Sequence, residues 1–229
     1  MYFYIPDLNG NKISSEQSSH LVSCRIKSGE YISITNLMGK LTYIRIAKVE
    51  IKQKCFWFEV ISEKQYELPK NKKIILQARI DKLYLEKLVE ILPLAEVSEI
   101  ILFEAELSQN KQTINYHRLE KILIRSCEQS QTIFKPSLQV IKTSKLSELI
   151  NYYKPVVLEQ NPKFPLTKAN EVQSGGRSAV LVGPEGGWSQ SELKKFKDMG
   201  LQFCSLGEVI LPSWIAGLAW FCTAKQFSV

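Results

Sequence analysis

The sequence predicts an α/β fold with a parallel sheet over residues 71–229, preceded by a small β-barrel or sandwich over residues 1–70. Three observations carry this. Residues 1–68 hold short runs of alternating apolar and polar residues, separated by turns that contain glycine, the pattern of half-buried strands. Pro69-Lys70-Asn71-Lys72 then reads as a linker. Beyond it, short wholly apolar runs alternate with helical periodicity, as expected of parallel strands covered on both faces by crossover helices.

In the first part, Tyr31 to Thr35 and Tyr43 to Ile51 alternate, and Cys55 to Ile61 is aromatic and β-branched; Gly10, Gly29 and Gly39 sit in the turns between them. In the second part, Lys73 to Ile80 is a predicted strand. Asp81 is placed to cap a helix whose Leu85, Leu88, Val89 and Leu92 share one face and which stops near Pro93. Ile100 to Phe103 is the next strand. Arg118 to Ser130 is a helix with Leu119, Ile122, Leu123 and Cys127 inward, and Lys145 to Tyr152 is another. Val156 to Leu158 and Ala179 to Val182 have the form of fully buried strands. Ser189-Gln190-Ser191-Glu192 is a capping box that opens a helix closed by Gly200. Gln202 to Leu206 is a strand and Ser213 to Lys225 the last helix.

Composition excludes several classes. With 45% hydrophobic and 23% charged residues the chain is neither disordered nor collagen-like. A chain of 229 residues buries about 70% of its unfolded surface and needs no staples. The net charge of +7 permits a polyanionic partner, but it is spread evenly, +3 over residues 1–70 and +4 over 71–229. The five cysteines (Cys24, Cys55, Cys127, Cys204 and Cys222) form no CxxC pair, which fits reduced thiols in a cytoplasmic protein. His20 and His117 lack a companion ligand, so no metal is expected. Tyr2 to Asp7 has no signal-peptide pattern. Val209 to Cys222 is apolar but spans only 14 residues and contains Pro212, so a buried helix is expected and no membrane association.

The chemistry is expected at three strand ends. Leu181-Val182 runs into Gly183-Pro184-Glu185-Gly186-Gly187 and then the capping box; glycines there let a ligand approach backbone N–H groups. No Lys-Ser/Thr follows, so it is not a phosphate loop. The second end is Leu206-Gly207-Glu208-Val209-Ile210-Leu211-Pro212. The third is Leu158-Glu159-Gln160-Asn161-Pro162. Loops at three strand ends can converge on one ligand.

Gly183 to Glu192 resembles the GPEGG-F/L-S-x-x-E signature of the RsmE family, SPOUT-class methyltransferases acting on N3 of a uridine in small-subunit ribosomal RNA. The resemblance covers the whole chain. Arg118-Leu119 through Cys127-Glu128-Gln129-Ser130 is similar to the family's R-L…A-x-E-Q-S helix, and Leu206-Gly207 with Ile210-Leu211 to its L-G-x-R-I-L-R-x-E-T-A. The β-rich N-terminus resembles the family's PUA-like RNA-binding domain, with His20 and Gly29 suitably placed. The resemblance implies a SPOUT-type sheet with a C-terminal trefoil knot, a homodimer through the knot domain, ribosomal RNA or the small ribosomal subunit as partner, and S-adenosylmethionine as cofactor. By motif, the cofactor would meet Leu158, Gly183, Glu185, Gly186, Leu206, Gly207, Ile210 and Leu211.

His20, Arg25 and Lys27 are candidate phosphate contacts, and Arg118 a further RNA contact. Trp188 and Trp214 are candidates to stack on a base. The chain also departs from the family pattern. Val209 and Pro212 stand where the final motif has arginines, Trp214-Ile215 replaces Glu-Thr, and Thr132 takes the place of the arginine after Glu128-Gln129-Ser130. The serine-glutamate-arginine segment reads Ala105-Glu106-Leu107, and K-A-T-E-L-G-V becomes Ile91 to Val97. No catalytic residue is assigned; Arg118, Arg125 and Lys135 are the cationic candidates. The alternatives are a non-catalytic, dimeric RNA-binding relative, or the same fold with another RNA target.

Overall fold

The computed structural model describes residues 1–8, 10–14, 17–108, 113–160, 167–168 and 177–225. The chain forms two compact units, Met1–Leu68 with Ile124–Lys135, and Pro69–Leu123 with Pro136–Val229.

The first unit contains β1 (Tyr2–Tyr4), β2 (Lys12–Ile13), α1 (Ser19–Ser23), β3 (Tyr31–Thr35), β4 (Lys40–Glu50) and β5 (Cys55–Gln65). They form one sheet in the order β1-β3-β4-β5-β2, antiparallel except for β1 beside β3. β1 and β2 are its edges, so the expected barrel is an open sheet. Alternation along β3, β4 and β5 puts Ile32, Ile34, Ile44, Ile46, Phe56 and Phe58 on one face, against Ile13 and Leu21. Each such side chain contributes about 1.5–3 kcal/mol by leaving water. α1 corrects the all-β reading: one helical turn brings Leu21 into this core. Gly39 has φ +99, and a Cβ there would lie 2.7 Å from the Phe134 ring, so the turn before β4 requires glycine.

The second unit contains β6 (Lys72–Ala78), α2 (Lys82–Ile91), β7 (Glu99–Phe103), the first part of α3 (Tyr116–Ser130), β8 (Ser137–Val140), α4 (Thr143–Tyr153), β9 (Val156–Leu158), β10 (Thr167–Lys168), β11 (Arg177–Val182), α5 (Gln190–Asp198), β12 (Phe203–Ser205) and α6 (Ser213–Lys225). The strands form one all-parallel sheet in the order β10-β12-β9-β11-β6-β7-β8. Successive residues of β6 face opposite layers. Ile75 packs with Leu85 and Leu88 of α2, Leu123 of α3, and Trp220 and Phe221 of α6. Ile74 and Leu76 pack with Leu146 and Ile150 of α4 and Leu193 and Phe196 of α5. Two covered faces explain why these strands read as unbroken apolar runs.

The helix ends follow their sequence signals. The Asp81 carboxylate accepts from Leu83 N at 2.8 Å at the start of α2. Ser189 and Glu192 form the reciprocal capping box of α5. After α2 a 3₁₀ turn, Leu92–Ala95, closes on Glu96 in the left-handed region, φ 58, where the family stretch has glycine. β8 and β10 are strands the sequence reading did not place. None of the five cysteines is in a disulfide. Among the described residues no helix is long and apolar enough to cross a membrane, and no cluster of His, Cys, Asp or Glu could hold a metal ion.

Candidate functional site

In the second unit, the loops after β9, β11 and β12 meet at the carboxyl ends of their strands, the usual place for a ligand in an open α/β sheet. They surround a cleft of about 430 Å³, within the range of small-molecule sites.

Three hydrogen bonds lace the loops into a ring. Trp188 Nε1 donates to the Leu158 carbonyl at 3.1 Å, joining the glycine-rich loop to the loop after β9. Gln160 Nε2 donates to the Val209 carbonyl at 3.2 Å, joining that loop to the one after β12. Ser213 Oγ, at the start of α6, donates back to the Gly183 carbonyl. Gln77, fully buried in β6, braces the last link, its Nε2 donating to Ser213 Oγ at 3.0 Å. Trp188 is itself buried, near-parallel to Phe103 at 6.3 Å and edge-on to Phe196 at 5.0 Å. Its ring is committed to the core, which corrects the expectation that it could stack on a base. Trp214 lines the cleft and stacks on Tyr84 at 6.1 Å, with Lys87 Nζ 5.5 Å from both rings.

Of the residues expected around a cofactor, Leu158, Gly183, Glu185, Leu206, Ile210 and Leu211 line the cleft. Gly186 and Gly207 lie in the same loops but outside the lining; a Cβ on Gly186 would instead meet the Leu107 carbonyl at 3.3 Å. Asn161 and Pro162 fall outside the described residues. Glu185 also anchors the start of α2, accepting from Asp81 N at 2.9 Å. Ser191 Oγ donates to Glu106 at 2.6 Å, and the Ser189 and Ser191 hydroxyls hold the Glu106 carboxyl below its ordinary value. Among the described residues, the charged side chains in the cleft lining are Glu159 and Glu185. The cleft is thus apolar and acidic, suited to a cation bearing an aromatic group.

The cationic candidates are placed elsewhere. Arg118 is bidentate to Glu86, Nε at 2.5 Å and Nη2 at 2.7 Å. In the first unit, His20 Nδ1 lies 3.0 Å from buried Glu128, which also accepts from Tyr4 N at 2.8 Å. Arg25 and Lys27 are exposed beyond α1. Arg125 is exposed and Lys135 half-buried, both in the 124–135 part of the first unit.

Sequence reasoning missed Gln77, Asp81 as a partner of Glu185, and Ser213. A glutamine inside an otherwise apolar strand was the one available signal.

A family model described as RNA methyltransferase domain matches residues 67–222. A protein of Helicobacter pylori named ribosomal RNA small subunit methyltransferase E is 32% identical over 192 residues, 82% of each chain. Among solved structures, a probable rRNA methyltransferase from Porphyromonas gingivalis superposes with a TM-score of 0.85 at 22% identity, over 98% of this chain and 97% of that one. The ribosomal RNA small subunit methyltransferase E of Neisseria gonorrhoeae, bound to S-adenosylmethionine, gives 0.84 at 20% identity, over 98% and 96%.

Proposed function

Because the chain belongs to the RsmE family of RNA methyltransferases, we propose that it transfers a methyl group from S-adenosylmethionine to N3 of a uridine in small-subunit ribosomal RNA. The observation that carries this is the laced cleft whose charged side chains, among the described residues, are all acidic. The sulfonium of the cofactor supplies an electrophilic methyl and a positive charge. Glu159 and Glu185 complement that charge, and an arginine in the lining would oppose it. Tyr84, Trp214 and the aliphatic Leu158, Leu206 and Leu211 offer apolar surface to the adenine. Backbone groups of the three loops are the polar contacts, and a Cβ on Gly183 would meet the Trp188 ring at 3.0 Å, so glycine there keeps that loop packed against Trp188.

Transfer also needs the uridine oriented in line with the methyl group and relieved of its N3 proton. Orientation falls to the loop after β12 and to Trp214. The same reading includes a trefoil knot in the chain from β9 to β12, part of which lies outside the described residues, and a homodimer formed through this unit. The exposed apolar pair Val209 and Ile210 supports the dimer. His20, Arg25 and Lys27 are proposed to bind RNA phosphates from the first unit.

The test is calorimetric titration with S-adenosylmethionine, followed by incubation with small-subunit RNA and nucleoside mass spectrometry. Micromolar binding and 3-methyluridine are expected. Binding with a different methylated nucleoside would point to another target. Val209 and Pro212, in place of the family's arginines, favour a second reading, a non-catalytic RNA-binding relative. RNA binding without transfer would select it.

A further inference from the structure

Arg79 follows β6 directly, with its backbone fixed at both ends: its N donates to the Phe103 carbonyl at 2.8 Å and its carbonyl accepts from Ser108 Oγ at 3.0 Å. Its Nη2 is buried and has no hydrogen-bond partner among the described residues. A buried guanidinium N–H without an acceptor lowers stability, and such groups call for an explanation. The acceptors Glu86 and Asn115 that share its cavity already bind Arg118. Both Glu86 oxygens bind Arg118, and Asn115 Oδ1 accepts from Arg118 N at 3.0 Å. Arg79 lines a cavity of about 20 Å³ with Lys82, Glu86 and Asn115. That space admits one oxygen-sized group and no ring. Glu86, the carboxylate in that lining, is already bound by Arg118, which leaves Arg79 and Lys82 as its uncompensated cations. The first turn of α2 gives Lys82 to this cavity and Tyr84 to the cleft, so the two sites share one turn of helix.

We infer that Arg79, with Lys82, is an oxyanion subsite that takes one non-bridging phosphate oxygen of the RNA backbone and so positions the strand beside the cleft. This rests on the reading that the chain acts on RNA. It makes Arg79 a positioning residue, a cation beside a cleft whose described lining has none.

The test uses the full chain with Arg79→Gln and Arg79→Lys. Binding of a small-subunit RNA fragment is measured from 50 to 200 mM salt, together with S-adenosylmethionine affinity and thermal melting. For Arg79→Gln, RNA affinity falls about ten-fold at low salt, and the slope of log K against log salt becomes shallower by roughly 0.7–0.9. Arg79→Lys restores the slope. Cofactor affinity is unchanged, and the melting temperature does not drop, because a buried orphan is relieved. If wild type binds RNA and Arg79→Gln shows the same slope and affinity, the subsite is overturned. A lowered melting temperature with no change in slope would make Arg79 structural and also overturn it. A wild-type chain that binds no RNA removes the parent reading, and the subsite with it.

Discussion

Trp188→Phe tests whether the lacing shapes the cleft. The substitution keeps an aromatic ring between Phe103 and Phe196 but deletes the N–H that reaches the Leu158 carbonyl at 3.1 Å. An acceptor left buried costs about 1–3 kcal/mol. The space vacated by the smaller ring adds about 1 kcal/mol. The second unit should therefore lose about 2–4 kcal/mol, a drop of roughly 5–15 °C in melting temperature for a chain of this size. Cofactor affinity should fall at least about ten-fold, since the ordering of two loops would then come out of the binding energy. Urea denaturation followed by far-ultraviolet circular dichroism gives the first quantity and calorimetry the second. If the variant unfolds at the wild-type urea midpoint and binds S-adenosylmethionine as tightly, the ring of hydrogen bonds does not hold the cleft open. If stability falls and affinity does not, Trp188 serves the core alone.

Ser189→Ala removes the N-cap of α5 and should cost about 1 kcal/mol in urea denaturation; Ser189→Gly should cost only a few tenths of that, and equal losses would argue against the cap. Gly39→Ala combines a positive φ with a clash against Phe134, so the first unit should lose about 2–3 kcal/mol, while cofactor binding in the second unit is retained. The hydrogen bonds from Arg118 hold the Glu86 carboxyl below its ordinary value. This pair's stabilisation is therefore full above the unfolded carboxylate range and is lost as pH falls through the lowered folded value. Arg118→Leu should move the Glu86 titration back up, read from its side-chain carbon shifts; an unmoved titration would show that the pair does not persist in solution.

The helices of the second unit were legible because each announces itself locally. Asp81 and Ser189 cap, Pro93 and Gly200 stop, and Leu85, Leu88 and Val89 recur on one face. Strands β6, β9 and β11 were legible as apolar runs because both faces of the sheet are covered. β8 was not, since only Leu138 of its four residues is buried and an edge strand leaves no run to read. α1 was missed because five residues with one buried side chain carry no period. The return of residues 124–135 to the first unit was equally hidden. Cys127 and Leu123 fit one continuous helical face, and nothing local shows that the helix is divided between the two units after Leu123. The three ligand loops could be named from their glycines and strand ends. The bonds that join them could not, because Trp188 and Leu158, or Gln160 and Val209, are 30 and 49 residues apart.

The distribution of charge bears on what the departures from the family pattern mean. The chain carries +7 overall, yet among the described residues the cleft lining contains two carboxylates and no cation. Val209 and Pro212, where the family motif has arginines, are part of the reason. A cleft whose described lining has no arginine holds a sulfonium with less repulsion, but it gives less electrostatic help to a uridine losing its N3 proton; Lys87, over Trp214, is a cation at its edge. In the proposed reaction that help and the grip on RNA phosphates must then be divided. The cofactor's own charge, complemented by Glu159 and Glu185, would serve the first. The phosphates must be met outside the cleft. Arg118 is poorly suited to that, being bidentate to Glu86, whereas His20, Arg25 and Lys27 would meet phosphates from the first unit. Arg79 differs from Arg118 in having a buried N–H with no acceptor among the described residues. Losing cations from the motif that faces the cofactor while keeping one beside it is consistent with a methyltransferase that grips its RNA away from the reacting atoms.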